Sequence, residues 1–379
     1  MIDIFLNLPL FLGLLVYTLI IILKYKPNIV VSCSLIIGSC LPFLLNDFLF
    51  PNTLFSDQSR YLQCAIDVRE TFTCIDVKGR GQVLNALPSG LEFASYIFAF
   101  FPAPIITSIL SLSLINRFLF TILMHYLLQS KRDYKIIATI ISVMPSIIFY
   151  SAVALRDNLI FVCFIFFLIL IFERRILISF IPITFMLFLK PVIGLSMIGI
   201  LLFIFTAPYN KKYWKTYSIV WLSVVFILFN YLLISYSEIF FDIFNRYSRA
   251  MASDTGVNPR DPIFSLLSLY QMLPSSIYSF FYSPSPGNIS SIFLLLAFIE
   301  NNLFILLFLY LFVNSENKSN PILITILLML IVLGAVFAVI VFNDGSLTRY
   351  IYPIKAGILA CILLSNVNFN KNSNKSLNE

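Results

Sequence analysis

Apolar stretches of about 17 to 25 residues recur from one end of this chain to the other, and that length leaves few architectures open. In hydrocarbon every peptide N–H and C=O must be satisfied by the protein itself, so a spanning segment is a helix or a strand of a closed barrel. Barrel strands would be about ten residues long and strictly alternating. The runs here are longer and do not alternate, as in the stretch from Leu159 to Phe172. The expected fold class is therefore all-α, a polytopic integral membrane protein. A chain that is 60% hydrophobic and only 11% charged fits no soluble class. Its formal charge of +7 follows from ordinary membrane topology, and no nucleic-acid motif accompanies it.

Lys and Arg concentrate on the cytoplasmic side of membrane proteins, so the basic loops set the orientation. Lys24 and Lys26, the cluster Lys131, Arg132 and Lys135, and the pair Arg174 and Arg175 mark three such loops. Lys211, Lys212 and Lys215, then Lys318, then Lys371 and Lys375 mark the rest. All become cytoplasmic together with about eleven spans (ten to twelve), the N-terminus outside and the C-terminus inside. The expected spans are 4–23, 29–46, 104–129, 136–153, 157–172, 176–190, 192–208, 217–236, 289–313, 322–342 and 350–367. Lys190-Pro191 is either a tight turn between two spans or a kink. The first span lacks a preceding basic region and a small-residue cleavage site, so it is expected to be retained.

Two longer segments fall outside. Residues 47–103 end in the apolar stretch 91–101, too short to cross and closed by Pro102 and Pro104. An interfacial or re-entrant helix is expected there. Residues 237–288 form the second large outer loop, ending in the turn-rich stretch 283–287. Residues 368–379 form a cytoplasmic tail. Cys64 and Cys74 lie together in the first outer segment; an oxidising compartment would allow a local disulfide, which spacing alone leaves open. No internal repeat is visible, which argues against an inverted-repeat transporter.

Ten basic residues then fall on the outer side or at span mouths facing it: Arg60, Arg69, Lys78, Arg80, Arg156, Lys190, Arg246, Arg249, Arg260 and Arg349. This opposes the usual bias, and the simplest task for such a set is to hold an anionic substrate. Arg156 and Asp157 stand between two long apolar runs, where charge is costly and usually faces a polar cavity, a paired turn being the alternative. Lys190, before Pro191, reads the same way, or snorkels. Arg246 and Arg249 are three apart and share a helix face. With Arg260 they could clamp a diphosphate through guanidinium forks, or pair with Glu238, Asp242, Asp254 and Asp261. Asp57, Arg60 and Tyr61 set an acid, a base and an aromatic within five residues. Asp57 could orient or deprotonate a sugar hydroxyl, or cap a helix; Tyr61 could stack on a sugar or join the interfacial aromatic belt. Glu92 suits the first turn of the short apolar helix and stands where a substrate would meet the bilayer. Asp344, Arg349 and Tyr350 belong to the last outer turn, as cavity groups or as interfacial anchors. Arg117 lies mid-span and needs a partner or a polar cavity. The single histidine, His125, lies near the cytoplasmic end of its span, which argues against His-dependent acyl transfer and an outward His-ligated metal.

Taken together these motifs resemble a family. Asp57 and Tyr61 in an Asp-x-x-x-Tyr segment, Glu92 opening a short helix, Leu155-Arg156-Asp157, Lys190-Pro191, the segment 237–288 and Arg349-Tyr350 are similar to the pattern of bacterial O-antigen polymerases and related exopolysaccharide repeat-unit polymerases. That resemblance implies a multi-pass protein of the bacterial inner membrane that moves a growing glycan from one undecaprenyl-diphosphate carrier to a carrier-linked repeat unit on the periplasmic face. It implies no cofactor, no metal and no nucleotide sugar. A chain-length regulator protein would be a partner. Asp57, Glu92, Arg156 and Arg349 would be catalytic. Arg60, Tyr61, Asp157, Lys190, Arg246, Arg249, Arg260, Asp344 and Tyr350 would bind substrate. The chain departs from one family pattern: eleven residues after Arg246, Arg249 and Arg260 stand Val257, Arg260 and Gln271, so no Arg-x10-Gly motif is present. A lipid-linked oligosaccharide flippase and a polyprenyl-dependent C-class glycosyltransferase are the alternatives. The first would more often show small loops and duplication, and the second a stronger pair of acids in its first outer loop.

Overall fold

The computed structural model describes residues 2–49, 56–74, 90–101, 106, 108–130, 132–208, 210–238, 241–242, 244–246, 248–249, 262–289, 291–341 and 344–375. All regular structure among them is helical. Among the described residues, six helical stretches are long and apolar enough to cross a membrane: Phe5–Tyr25, Ile29–Asn46, Ile109–Gln129, Ile292–Asn314, Pro321–Val339 and Ser346–Ser365. Shorter apolar helices accompany them, and many of the exposed side chains are large and apolar, such as Phe5, Leu23 and Ile227. Soluble proteins rarely expose contiguous apolar faces of this kind. The molecule is a polytopic helical membrane protein. The chain divides into two compact units, Met1–Leu195 and Ser196–Glu379, each described by itself.

The N-terminal unit is built on α5 (Ile109–Gln129), a 21-residue helix about 31 Å long by its rise, close to the hydrocarbon thickness. Packed around it are α1 (Ile2–Tyr25), α2 (Ile29–Phe43), α6 (Arg132–Val143) and α8 (Asp157–Phe172). Asn28 starts α2 because its side chain accepts the Val31 amide at 3.0 Å. The apolar residues of α8 run all the way round it, and Phe161, Phe164 and Phe167 are fully buried, as such a pattern requires.

The expected span 136–153 is interrupted. Pro145 has no N–H and pushes Met144 out of the helical region, to φ −87 and ψ 108, so α6 stops at Val143. The short α7 (Pro145–Tyr150) follows, and residues 151–156 are irregular although Ser151 to Leu155 are buried. Non-helical backbone at membrane depth survives only where the protein supplies its hydrogen bonds. Asn116 of α5 does so, its amide donating to the carbonyls of Val153 and Leu155 at 2.7 Å each. Asn158 reciprocates by donating to the Asn116 carbonyl at 2.8 Å.

After α9 (Ile176–Leu189) the chain folds back rather than kinking. A Cβ on Gly194 would lie 2.8 Å from the Leu187 nitrogen, whereas residues seven apart in one helix are about 10 Å apart. Lys190 is the turning residue, with φ −154 and ψ 83, and Pro191 opens α10 (Pro191–Phe205).

In the C-terminal unit, α11 (Trp214–Ser235) precedes a segment expected to be a loop. That segment instead holds a 17-residue helix, α12 (Leu266–Tyr282), followed by α13 (Ile292–Asn314), α14 (Pro321–Ile340) and α15 (Asp344–Lys375). Pro274 and the serines around it mask the helical signal. Yet Ser265 caps the helix through the Ser268 amide at 3.2 Å, and Leu269 packs with Phe241, Phe244, Ile263 and Val339. Gly334 lets α12 and α14 meet, since a Cβ there would lie 2.3 Å from the Phe280 ring. The last helix starts six residues before the expected span and continues through much of the Asn/Ser-rich tail.

Candidate functional site

Two helices, α3 (Ser56–Thr71) and α4 (Gly90–Phe100), carry the first group of expected site residues. A Cys64–Cys74 disulfide closes the end of α3. Arg69 binds α3 to the end of α4, its Nε donating to the Ala99 carbonyl at 2.9 Å and Nη2 to that of Phe101 at 3.3 Å. A cation on terminal carbonyls is favoured by the helix dipole. Tyr96 donates to the Phe72 carbonyl at 3.0 Å; burial, and then the Glu92 carboxylate one turn earlier, hold its hydroxyl above the usual pKa. Tyr61 is only 2% exposed, with its ring edge-on to Phe98 at 6.3 Å. It packs α3 on α4 and has no open face on which a sugar could stack. Asp57 lies in the first turn of α3 with Arg60 at 3.7 Å, both substantially exposed.

Gly90, the first residue of α4, is where distant parts of the unit meet. A Cβ added there would fall 2.0 Å from Nη1 of Arg156 and 2.5 Å from the carbonyl oxygen of Leu189. The bare glycine backbone thus seats the Arg156 guanidinium beside the turn at Lys190. Stacking of Phe93 on Phe188, with centroids 4.8 Å apart, fixes α4 on α9 just below. Arg156 ends the irregular stretch held by Asn116, is half-buried, and is followed by Asp157, 1% exposed in the first turn of α8. Three expected site elements are therefore brought together here: the helix of Glu92, Arg156 with Asp157, and Lys190-Pro191.

Arg117 has its partners in the same unit but belongs to a closed cluster. It is fully buried, donates from Nη1 to Ser151 Oγ at 2.7 Å and from Nη2 to the Ser34 carbonyl at 2.9 Å, and covers the Phe120 ring at 4.5 Å. His125 receives hydroxyl contacts on both ring nitrogens, from Tyr17 at 2.6 Å and Tyr25 at 2.9 Å.

The C-terminal unit carries the remaining expected residues. Arg246 grips Asp242 with both ends of its fork, at 2.9 and 2.6 Å, and is exposed. Arg249 donates to the Asn245 carbonyl at 3.3 Å and lines a cavity of about 340 Å³ with the acids Glu238 and Asp242. Carboxylates standing beside these guanidinium groups make a charge-mixed surface, in which Arg246 has the pairing with Asp242 that the sequence offered as the alternative to a clamp. Arg260 lies outside the described residues. Arg349 sits 5.8 Å from the Tyr350 ring, which stacks on Phe337 at 6.0 Å. Asp344 opens α15 and accepts from Ser283 Oγ and, at 2.9 Å, from Asn288.

Sequence reasoning missed Asn116 and Asn158, whose role is to satisfy backbone. It also missed Glu300, Asn301 and Lys355, buried in the apolar helices α13 and α15. The signal was present, because ionisable residues inside a span are rare enough to single out. Comparison with protein-family models, with curated proteins and with solved structures finds no match for this chain. Composition and fold define its class as a multi-pass helical membrane protein with buried polar clusters in both units.

Proposed function

We propose that the chain is a repeat-unit polymerase of the O-antigen type, a glycosyltransferase with about eleven spans working on the outer face of a bacterial inner membrane. The meeting of Gly90, Arg156 and Leu189 carries this reading. Three motifs that resemble the polymerase pattern, scattered over a hundred residues of sequence, share one place at the end of a short outer helix. The Cys64–Cys74 disulfide supports the orientation, since such bonds persist on the oxidising side of the membrane.

In the proposed reaction an acceptor hydroxyl oxygen bonds to the anomeric carbon of the donor glycan as the bond from that carbon to the carrier phosphate breaks. The electron pair leaves with the undecaprenyl diphosphate. Arg156 and Lys190 stabilise the charge that develops on its oxygens. Glu92 or Asp57 takes the hydroxyl proton. Asp344 and Arg349 are substrate contacts of the C-terminal unit.

Gene deletion in the host tests the class. Loss of long polymer with single capped repeat units retained supports a polymerase. Loss of all surface glycan points to a flippase or an assembly transferase instead.

A further inference from the structure

Inside the C-terminal unit a chain of polar groups runs from the middle of the last helix to its outer end. Lys355 lies eleven residues below Asp344 on α15, about 16 Å along the axis. It is 1% exposed, and its ammonium is 5.4 Å from the rings of both Phe280 and Phe304. Its Nζ donates to Oδ1 of Asn301 on α13. The Asn301 amide donates in turn to the Ser283 carbonyl. Ser283 passes the contact outward, its hydroxyl donating to one carboxylate oxygen of Asp344. Asn288, from the same turn, holds the other oxygen at 2.9 Å. Glu300, beside Asn301 and 2% exposed, supplies the countercharge for Lys355.

A buried ammonium is expensive, and packing alone would be better served by an apolar side chain. Each donor here has a different acceptor, and the two that end the chain fix both oxygens of one half-buried carboxylate. A carboxylate gripped on both oxygens keeps its remaining lone pairs in fixed directions.

We propose that Lys355 is a positioning residue for Asp344, acting through Asn301 and the 283–288 turn, so that the carboxylate is held ready to accept a hydroxyl of a saccharide at the outer end of α15. The assignment of a saccharide rests on the polymerase reading, whereas the positioning itself does not.

Two experiments on the full chain in native membranes separate these parts. In the first, the rate at which a water-soluble carbodiimide modifies the half-buried Asp344 carboxylate is followed by mass spectrometry. Adding Glu300→Gln with Lys355→Met removes both buried charges without leaving either alone. Modification should speed up about tenfold once the carboxylate is no longer held, the weight of one charge-assisted hydrogen bond, and an unchanged rate would overturn the positioning. In the second, polymer length is compared in Asp344→Asn, Glu300→Gln/Lys355→Met, and the combined variant, each normalised to the amount of protein in the membrane. Non-additive loss is expected, the combined variant being no worse than Asp344→Asn alone, and Lys355→Arg should retain part of the activity. Independent, multiplying losses would assign Lys355 a merely structural role and overturn the proposal. If the gene deletion leaves polymer intact, the saccharide assignment falls, and the Asp344 modification rate still decides the positioning.

Discussion

Arg117 and Arg156 make the same local contact and have different consequences. Each guanidinium lies on a glycine of a neighbouring helix, Arg117 on Gly38 and Arg156 on Gly90, so close that a Cβ would fall about 2 Å from a terminal nitrogen in either case (1.9 and 2.0 Å). Around Arg117 the protein is closed: Ser34, Ser151 and Phe120 surround a side chain with no exposure. It pins α2, α5 and the irregular stretch before α8. Arg156 is half-buried, at the end of that stretch and beside the turn at Lys190. A glycine seat therefore says only that a guanidinium is held. Whether it holds the fold or faces a substrate depends on what else surrounds it.

Substitutions can break this contrast. Arg156→Ala should leave membrane levels of the protein unchanged and lower polymer formation by about a hundredfold or more, the usual scale for losing a charge-stabilising donor. Gel ladders of surface glycan read this directly. Arg117→Ala should act on the fold, costing about 3 kcal/mol by emptying a buried, hydrogen-bonded site. Unfolding of the purified protein in mixed micelles measures that cost, and shorter polymer from the surviving molecules would erase the distinction. The glycines sharpen it further. Gly38→Ala should destabilise by about 1–3 kcal/mol through overpacking against Arg117. Gly90→Ala should displace Arg156 and cut activity about tenfold, a barrier change of about 1.4 kcal/mol, and should also cost stability, because its Cβ would meet the Leu189 carbonyl oxygen at 2.5 Å. Arg60→Ala should be the weakest, since its contact with Asp57 is long and exposed and such pairs are worth about 1 kcal/mol or less. Thermal unfolding of that variant should match the parent.

Much of the fold was legible because lipid imposes a simple grammar: long apolar runs become helices, and prolines such as Pro145 and Pro191 end or open them. Where the reading failed, tertiary contacts outweighed local signals. Around Pro274 the sequence looks like a loop, yet α12 is helical because Phe280 and Leu269 have partners on α14. The irregular stretch after Tyr150 could not be foreseen, since it depends on Asn116, some forty residues earlier. Tyr61 was a candidate stacking platform only because nothing local revealed that Phe98 would cover it. Glu300 and Lys355 were visible as charges in apolar runs; what no local pattern contains is that Lys355 donates to Asn301, the residue next to Glu300.

Under the proposed function, Arg156 serves polymer formation and not the fold. Purified protein in liposomes, supplied with carrier-linked repeat units from its own host, tests it with the fewest intermediaries. Wild-type protein should release undecaprenyl diphosphate and build multi-unit glycan, and Arg156→Ala, folded and present in equal amount, should leave single units. Full-length polymer from the Arg156→Ala protein would contradict the account.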